Sequence, residues 1–362
     1  MVQRVLFTES SRNVGGQELQ LLAQADTLRA RGIEPLILCR ANGRMAEACA
    51  ARNLPTAPVP FRNSLHPPSV LALVRHLDAF RPDALICHSG HDANNAALAA
   101  RLSRHRPRLL RARTYQHGLP HAWTYNVLVD RTLVPSQEMR KALLANPRIR
   151  EERIAVLYPG IPFSDIDRRA VEALPPALAE RLARAPQRRI VHGAMLRHEK
   201  GHLFMLDVVA RVVRDFPNLC YVIAGEGELR SAIEAKIAAL GIGAHVVLAG
   251  MVDNLPALIQ RSELLVMPST YEPLGMSQIE ALGLGIPVLA SRTGGIPETV
   301  SHERTGLLLP PGDGAAWSAA LATALRQPQE MQALAAAGKL DVQKRFSLET
   351  NIDQLLEHIS GR

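Results

Sequence analysis

Short, wholly apolar runs recur through the first half of the chain, at Val5 to Phe7, Leu36 to Cys39, Ala84 to Cys87, Leu133 to Val134 and Ala155 to Leu157. Between them lie stretches with helical spacing, such as Glu18 to Ala30 and Ser69 to Ala79. This alternation predicts a parallel sheet with helices on both faces. A Pro- and Arg-rich stretch, Leu174 to Arg189, breaks the pattern and reads as a linker. Strands then resume at Ile190 to His192, Cys220 to Ala224, Val246 to Ala249, Leu264 to Met267 and Pro287 to Ala290. Helices are expected near Leu203 to Asp215, Leu229 to Leu240 and Gly275 to Leu282. The expected class is α/β, with two doubly wound Rossmann-like domains, 1–180 and 190–344, facing a central cleft. No fixed-period repeat is evident. Ligands of open parallel sheets bind beyond the carboxyl ends of the strands, so the loops there are where chemistry is expected.

Three such loops stand out. The first runs from Thr270 to Glu280 (TYEPLGMSQIE), with Pro273 where a helix would begin and Gly275 where a ligand could approach closely. A helix starting near Pro273 would offer unpaired amides to a phosphate. Glu272 and Glu280 would then lie about 12 Å apart, similar to the span from hexose to ribose in a nucleotide-sugar. One carboxylate would accept hydrogen bonds from the sugar hydroxyls and the other from the ribose. A solvated helix face with two unrelated glutamates is the competing account. The second loop, Met195 to His202, carries Arg197 and Lys200, two cations suited to a departing diphosphate unless the loop is simply basic and exposed. In the third, Gly15 and Gly16 open the first long helix and would let backbone approach phosphate, although two glycines also make a plain tight turn.

Composition narrows the class. With 362 residues there is room for two to three domains, and 47% hydrophobic with 21% charged residues is a globular balance. The four cysteines lie far apart without a CxxC pair, so reduced thiols in a cytosol are expected. The first residues lack a signal-peptide pattern and no apolar run approaches the roughly 18 residues of a membrane span, so a cytoplasmic protein is expected. Charge is uneven: 190–345 holds 13 Lys/Arg and 15 Asp/Glu, a net −2, so the remainder carries +10 and the whole chain +8. Six arginines without an acid stand between Arg101 and Arg113, namely Arg101, Arg104, Arg106, Arg108, Arg111 and Arg113. They suggest a patch for phosphorylated saccharides or anionic lipid headgroups, or else a solvated face of an Arg-rich protein. Nucleic acid is not expected, because aromatics are only 4% and none interleaves with the run.

The block from Gly193 to Asp313 resembles the donor-binding domain of family 4 glycosyltransferases of the GT-B fold. The matching motifs, in order, are KGH at Lys200 to His202, AGEG at Ala224 to Gly227, the pair Glu272/Glu280, GIPVLAS at Gly285 to Ser291, GGIPE at Gly294 to Glu298 and TGLLLPPGD at Thr305 to Asp313. The first half is similar more loosely, through Gly15 to Glu18, Arg29 to Cys39 and Val134 to Leu143. The resemblance implies that Glu272 binds the donor sugar, and that Pro273, Leu274, Gly275 and Met276 bind sugar and diphosphate through backbone amides. It further implies that Glu280 binds the ribose, that Arg197 and Lys200 bind the diphosphate, and that backbone at Met251 and Val252 reads the base. It also implies retention of configuration, no bound metal or other cofactor, and a final helix, 345–362, packing back on the first domain. Many relatives place the arginine five residues before the lysine, whereas here Met195 stands there and Arg197 lies three before.

On the acceptor side, His117 resembles a histidine that many relatives carry near the donor hexose, and His88 ends another strand. A surface or packing role is the alternative for each. In a retaining mechanism the leaving phosphate itself can take the acceptor proton, so no strong protein base is required. The combined expectation is a retaining, metal-independent glycosyltransferase acting on a nucleoside-diphosphate sugar, UDP-sugar favoured. The expected acceptor is a glycan or lipid-linked saccharide of the cell envelope such as lipopolysaccharide, with contact to anionic membrane. A sugar-nucleotide epimerase or hydrolase, or a nonenzymatic glycan- or nucleotide-binding protein, would share the motifs.

Overall fold

The computed structural model describes residues 2–11, 13–88, 90–113 and 120–361. The chain forms two compact units, one made of 1–160 with 346–362 and the other of 161–345.

In the first unit seven strands make a wholly parallel sheet of order β3-β2-β1-β4-β5-β6-β7. They are β1 (Arg4–Glu9), β2 (Glu34–Cys39), β3 (Thr56–Pro58), β4 (Ala84–Cys87), β5 (Arg108–Ala112), β6 (Arg131–Val134) and β7 (Ile154–Val156). Successive side chains of a strand point to opposite faces, so each strand feeds two cores. Val5, Phe7, Ile37, Ile86, Leu110 and Leu133 pack beneath the helices Gly16–Ala30 and Leu348–Ser360. Leu6, Leu38, Leu85 and Leu109 pack under the helices Pro67–Phe80 and Gly90–Leu102 on the other face. The last helix presents Leu348, Ile352, Leu355 and Ile359 to the core, a stripe with helical spacing. It is pinned by Asn351, which accepts from Gln24 Nε2 at 2.9 Å and donates to the Tyr158 carbonyl at 2.6 Å.

The second unit has six parallel strands of order β10-β9-β8-β11-β12-β13. They are β8 (Arg188–Gly193), β9 (Leu219–Ala224), β10 (Val246–Gly250), β11 (Leu264–Met267), β12 (Val288–Ser291) and β13 (Leu307–Leu309). One core gathers Ile190, Tyr221, Ile223, Leu264, Val266 and Leu289 under the helices His202–Val212 and Gly314–Arg326, with Trp317 fully buried.

The unit boundary falls at Gly160/Ile161, earlier than the linker expected at 174–189. The segment after it belongs with the second unit because the helix Phe163–Ala170 buries Phe163, Ile166 and Ala170, with the Phe163 ring lying against Gly283. The supposed linker itself contains a helix, Pro176–Arg184, which buries Leu178 and Leu182. Three short strands escape the apolar pattern. β3 carries Pro58, tolerated because it is an edge strand, β5 is hidden inside the arginine run, and β13 has three residues at the other sheet's edge. All four cysteines are free and buried. Among the described residues no helix is long and apolar enough to cross a membrane.

Candidate functional site in the second unit

The loops after β8, β11 and β12 interlock through their backbones. Gly201 has φ +75°, and a Cβ there would lie 2.1 Å from the Pro268 carbonyl oxygen, so the loop after β8 turns and docks only with glycine. Thr270 N donates to Glu199 O at 2.8 Å, Gly295 N donates to Glu272 O at 2.9 Å, and Thr293 Oγ1 donates to Thr270 O at 3.0 Å. A Cβ at Gly294 would meet Glu272 O at 2.1 Å. These contacts bring Lys200 Nζ to 2.5 Å from Glu272 Oε2, with the two side chains only 18% and 10% exposed. A nearly dry ion pair of this kind has a fixed geometry and, among the described residues, leaves the second carboxylate oxygen without a hydrogen-bond partner, suited to a ligand that offers hydroxyls to one partner and negative charge to the other.

Glu280 lies on the helix Ser277–Gly283, whose first residue is tied to β8 by Ser277 Oγ donating to Gly193 O at 2.7 Å. Burial pushes the Glu280 carboxyl up to about 7, and the Arg169 guanidinium works against that rise. The helix expected from Pro273 starts later, at Ser277, because Gly275 adopts φ +90° and interrupts any helix before it. Pro273, Leu274, Gly275 and Met276 therefore form a bent segment, Leu274 buried and Met276 exposed. Met251 is exposed and Val252 half-buried, both directly after β10. Arg197 is exposed and makes no ion pair among the described residues, so the structure brings Lys200, but not the Arg197 side chain, onto Glu272.

Sequence reasoning misses two features, the first because nothing in the pattern signals it. His192, at the end of β8, and His202, the last residue of the KGH motif, are fully buried and stack at 4.1 Å, with His202 two residues beyond Lys200. His192 Nδ1 meets the Tyr221 hydroxyl at 2.8 Å, while both ring nitrogens of His202 lack a partner among the described residues. Burial, aided by the Lys200 charge, holds His202 down at about 4 and His192 well below the ordinary histidine range, so both are neutral. The other is the chain's Asp-x-Asp tripeptide, Asp165-Ile166-Asp167, on the helix Phe163–Ala170, where Asp165 pairs with Arg168 at 2.5 Å. Among the described residues no group of three His, Cys, Asp or Glu side chains is placed to hold one metal ion.

Residues assigned to the acceptor side fall in the first unit. His117 lies outside the described residues. His88 is buried rather than presented at a surface, its Nδ1 3.3 Å from Thr8 O, and burial lowers its pKa. Gly15 N already donates to Glu18 Oε2 at 2.8 Å, and the buried Glu9 accepts from Ser11 N and Gln17 Nε2. The helix start at Gly15 and Gly16 thus has carboxylates where a phosphate was expected. The arginine run is not one patch either, since β5 runs through it and alternates its side chains. Arg104 and Arg106 are exposed, Arg108 and Arg113 half-buried, and Arg101 is spent on the Ala97 and Val127 carbonyls. Arg111 is buried, 4.2 Å over the Tyr125 ring and 3.0 Å from Thr132 Oγ1.

A family model described as "Glycosyl transferases group 1" matches residues 179–341, and one described as "Glycosyltransferase Family 4" matches 14–165. The chain belongs to the family 4 glycosyltransferases of the GT-B fold. It is 28% identical over 242 residues to the alpha-D-kanosaminyltransferase of Streptomyces kanamyceticus, which covers 66% of this chain and 61% of that enzyme. The chain spans about half the length of the curated relatives it matches. Among solved structures, a glycosyltransferase from Rickettsia africae superposes with a TM-score of 0.86 at 18% identity, over 99% of this chain and 98% of that one. HepE of Anabaena in complex with UDP superposes with a TM-score of 0.83 at 22% identity, over 99% and 100%. Both share this family member's GT-B fold.

Proposed function

We propose that this family member transfers a glycosyl group from a nucleoside-diphosphate sugar, UDP-sugar favoured, to a hydroxyl of a cell-envelope glycan or lipid-linked saccharide, with retention and without a bound metal. The observation that carries the reading is the Lys200–Glu272 pair, held in a nearly dry niche by interlocked loops of one unit. In this reading Glu272 accepts hydrogen bonds from the donor's sugar hydroxyls, Glu280 accepts from the ribose, and backbone at Met251 and Val252 meets the base. Lys200, with Arg197 swinging in from solvent, neutralises the diphosphate. As the anomeric carbon to phosphate oxygen bond breaks, negative charge grows on the diphosphate and is met by a cation already in place. The acceptor oxygen bonds to the anomeric carbon and its proton passes to the departing phosphate, with His117 proposed to orient the acceptor. The UDP held by the fold relative HepE supports a uridine donor, and the net positive charge of the first unit supports an anionic acceptor environment.

The test is incubation with UDP-, GDP-, ADP- and dTDP-sugars, following thermal stabilisation and slow nucleotide release. One donor is expected to stand out, and the anomeric proton of the product with acceptor is expected to report retention by NMR. A flat response across all four, unaltered by Glu272→Ala, would remove the donor assignment.

A further inference from the structure

The helix Phe163–Ala170 reads from the sequence as the end of the first domain, yet its hydrogen bonds run to the loop that follows β10. Arg169 Nη2 donates to the Asp253 carbonyl, and the Arg169 carbonyl accepts from Asn254 Nδ2 at 2.9 Å. Asn254 also caps the helix Leu255–Gln260 by accepting from Ala257 N at 3.2 Å, and donates to Glu172 Oε2 at 2.8 Å. Arg261, just past that helix, returns to the Ala170 and Glu172 carbonyls at 3.2 and 2.9 Å. On its other side the Phe163–Ala170 helix reaches the end of the Ser277–Gly283 helix, where a Cβ on Gly283 would meet the Phe163 ring at 2.4 Å. One short helix thus touches both the 251–254 loop and the helix that bears Glu280.

We infer that Arg169 is a positioning residue of the donor site, its guanidinium bracing the backbone at Asp253 from a helix packed against the one that bears Glu280. This rests on the donor reading above. Ribose hydroxyls donate to a carboxylate and much less well to a carboxylic acid, so the charge state of Glu280 governs nucleoside affinity. The Ser277–Gly283 helix meets the end of β8, with its buried neutral His192, through Ser277. Through Gln278 and Leu282, on the opposite side from Glu280, it meets the helices Ile296–Thr299, with Glu298, and Pro328–Phe346, with Lys339, Asp341 and Arg345. It packs further against the helices Phe163–Ala170 and Leu255–Gln260 and against β11 and β12. The last three carry no titratable side chain. On the Phe163–Ala170 helix, Asp165 and Arg168 pair with each other and Asp167 is exposed, which leaves Arg169 as the cation acting on Glu280. Arg169 is fixed for that task because its guanidinium is already held by a backbone carbonyl.

The experiment is calorimetric titration of the intact protein with UDP between pH 5.5 and 8.5, for wild type, Arg169→Met, Arg169→Lys and Glu280→Gln. Wild type is expected to bind more tightly as pH rises, with a midpoint near the Glu280 value of about 7. Arg169→Met is expected to move the midpoint up and to weaken binding at pH 7.5 by about tenfold, because the carboxylate then has to be deprotonated at a free-energy cost before the ribose can use it. Arg169→Lys keeps the charge and the midpoint but loses affinity because the guanidinium's bond to the Asp253 carbonyl is gone, and Glu280→Gln removes the step near 7, leaving only the one from the terminal phosphate of UDP, whose second pKa is about 6. A helix that merely packs would leave the midpoint where it is, so an unmoved midpoint in Arg169→Met overturns the assignment while the donor site stands. If wild type binds neither UDP nor GDP, ADP or dTDP, the donor reading fails first and this inference falls with it.

Discussion

Lys200 and Glu272 neutralise each other in a niche where neither is well hydrated, so removing one strands the other. Lys200→Ala is expected to cut turnover by about a thousandfold, the scale of losing a preorganised charge at a developing oxyanion. Glu272→Gln keeps a partner for the ammonium and is expected to lose activity with little loss of stability, which steady-state rates and thermal melts separate. Acid sensitivity belongs to His202. The unfolded chain binds its proton near pH 6.5 and the folded chain at about 4, so the stability His202 contributes is full above 6.5 and lost as pH falls through 4. A denaturation series from pH 7 to 4 is expected to be flatter for His202→Phe than for wild type. Glu280 has the opposite sign. Its folded value of about 7 lies above the ordinary carboxyl range, so the protein without ligand loses stability as pH rises from 4.5 to 7, and Glu280→Gln is expected to gain about 1–3 kcal/mol at pH 8. Lys200, Glu272 and Glu280 were legible because each sits in a short motif after a strand. Arg169 and the stacked histidines were not, because their partners are distant in sequence and burial cannot be read from one position.

At the scale of elements, apolar runs locate the central strands well, since a strand covered on both faces has no polar positions to blur it. They fail where composition and role diverge. β5 is written in arginines, and its strand character shows only once Arg111 is seen folded over Tyr125. The Phe163–Ala170 helix sits before a Pro- and Arg-rich stretch, so the pattern groups it with the wrong unit although Phe163 and Ile166 at helical spacing face the second core. Phe163→Ala is expected to destabilise the second unit by about 3 kcal/mol, the cost of an aromatic removed from a packed site, and to leave the first unit's melting unchanged. Differential calorimetry, which resolves the two transitions, checks this.

For the whole molecule, placing the boundary at 160/161 redistributes the charge. The second unit, 161–345, holds 19 Lys/Arg and 19 Asp/Glu, so the entire +8 belongs to the first. Binding to vesicles rich in anionic lipid is therefore expected at about 50 mM salt and lost by about 500 mM, as screening shortens its reach. Exchange of Arg104 and Arg106, two exposed arginines of the run, for Ser is expected to weaken it, and sedimentation with vesicles measures both effects. The order of segments along the chain has a consequence for synthesis. Because 346–362 completes the first unit, the second unit is an insertion that leaves the ribosome whole while the first still lacks the helix covering Val5, Phe7 and Ile37. Domains usually mature in order of translation, and here the earlier one must wait for residues made after the whole of the later one. A nascent chain stalled before Leu348 would present an uncovered apolar strip to chaperones even though its second unit is already native.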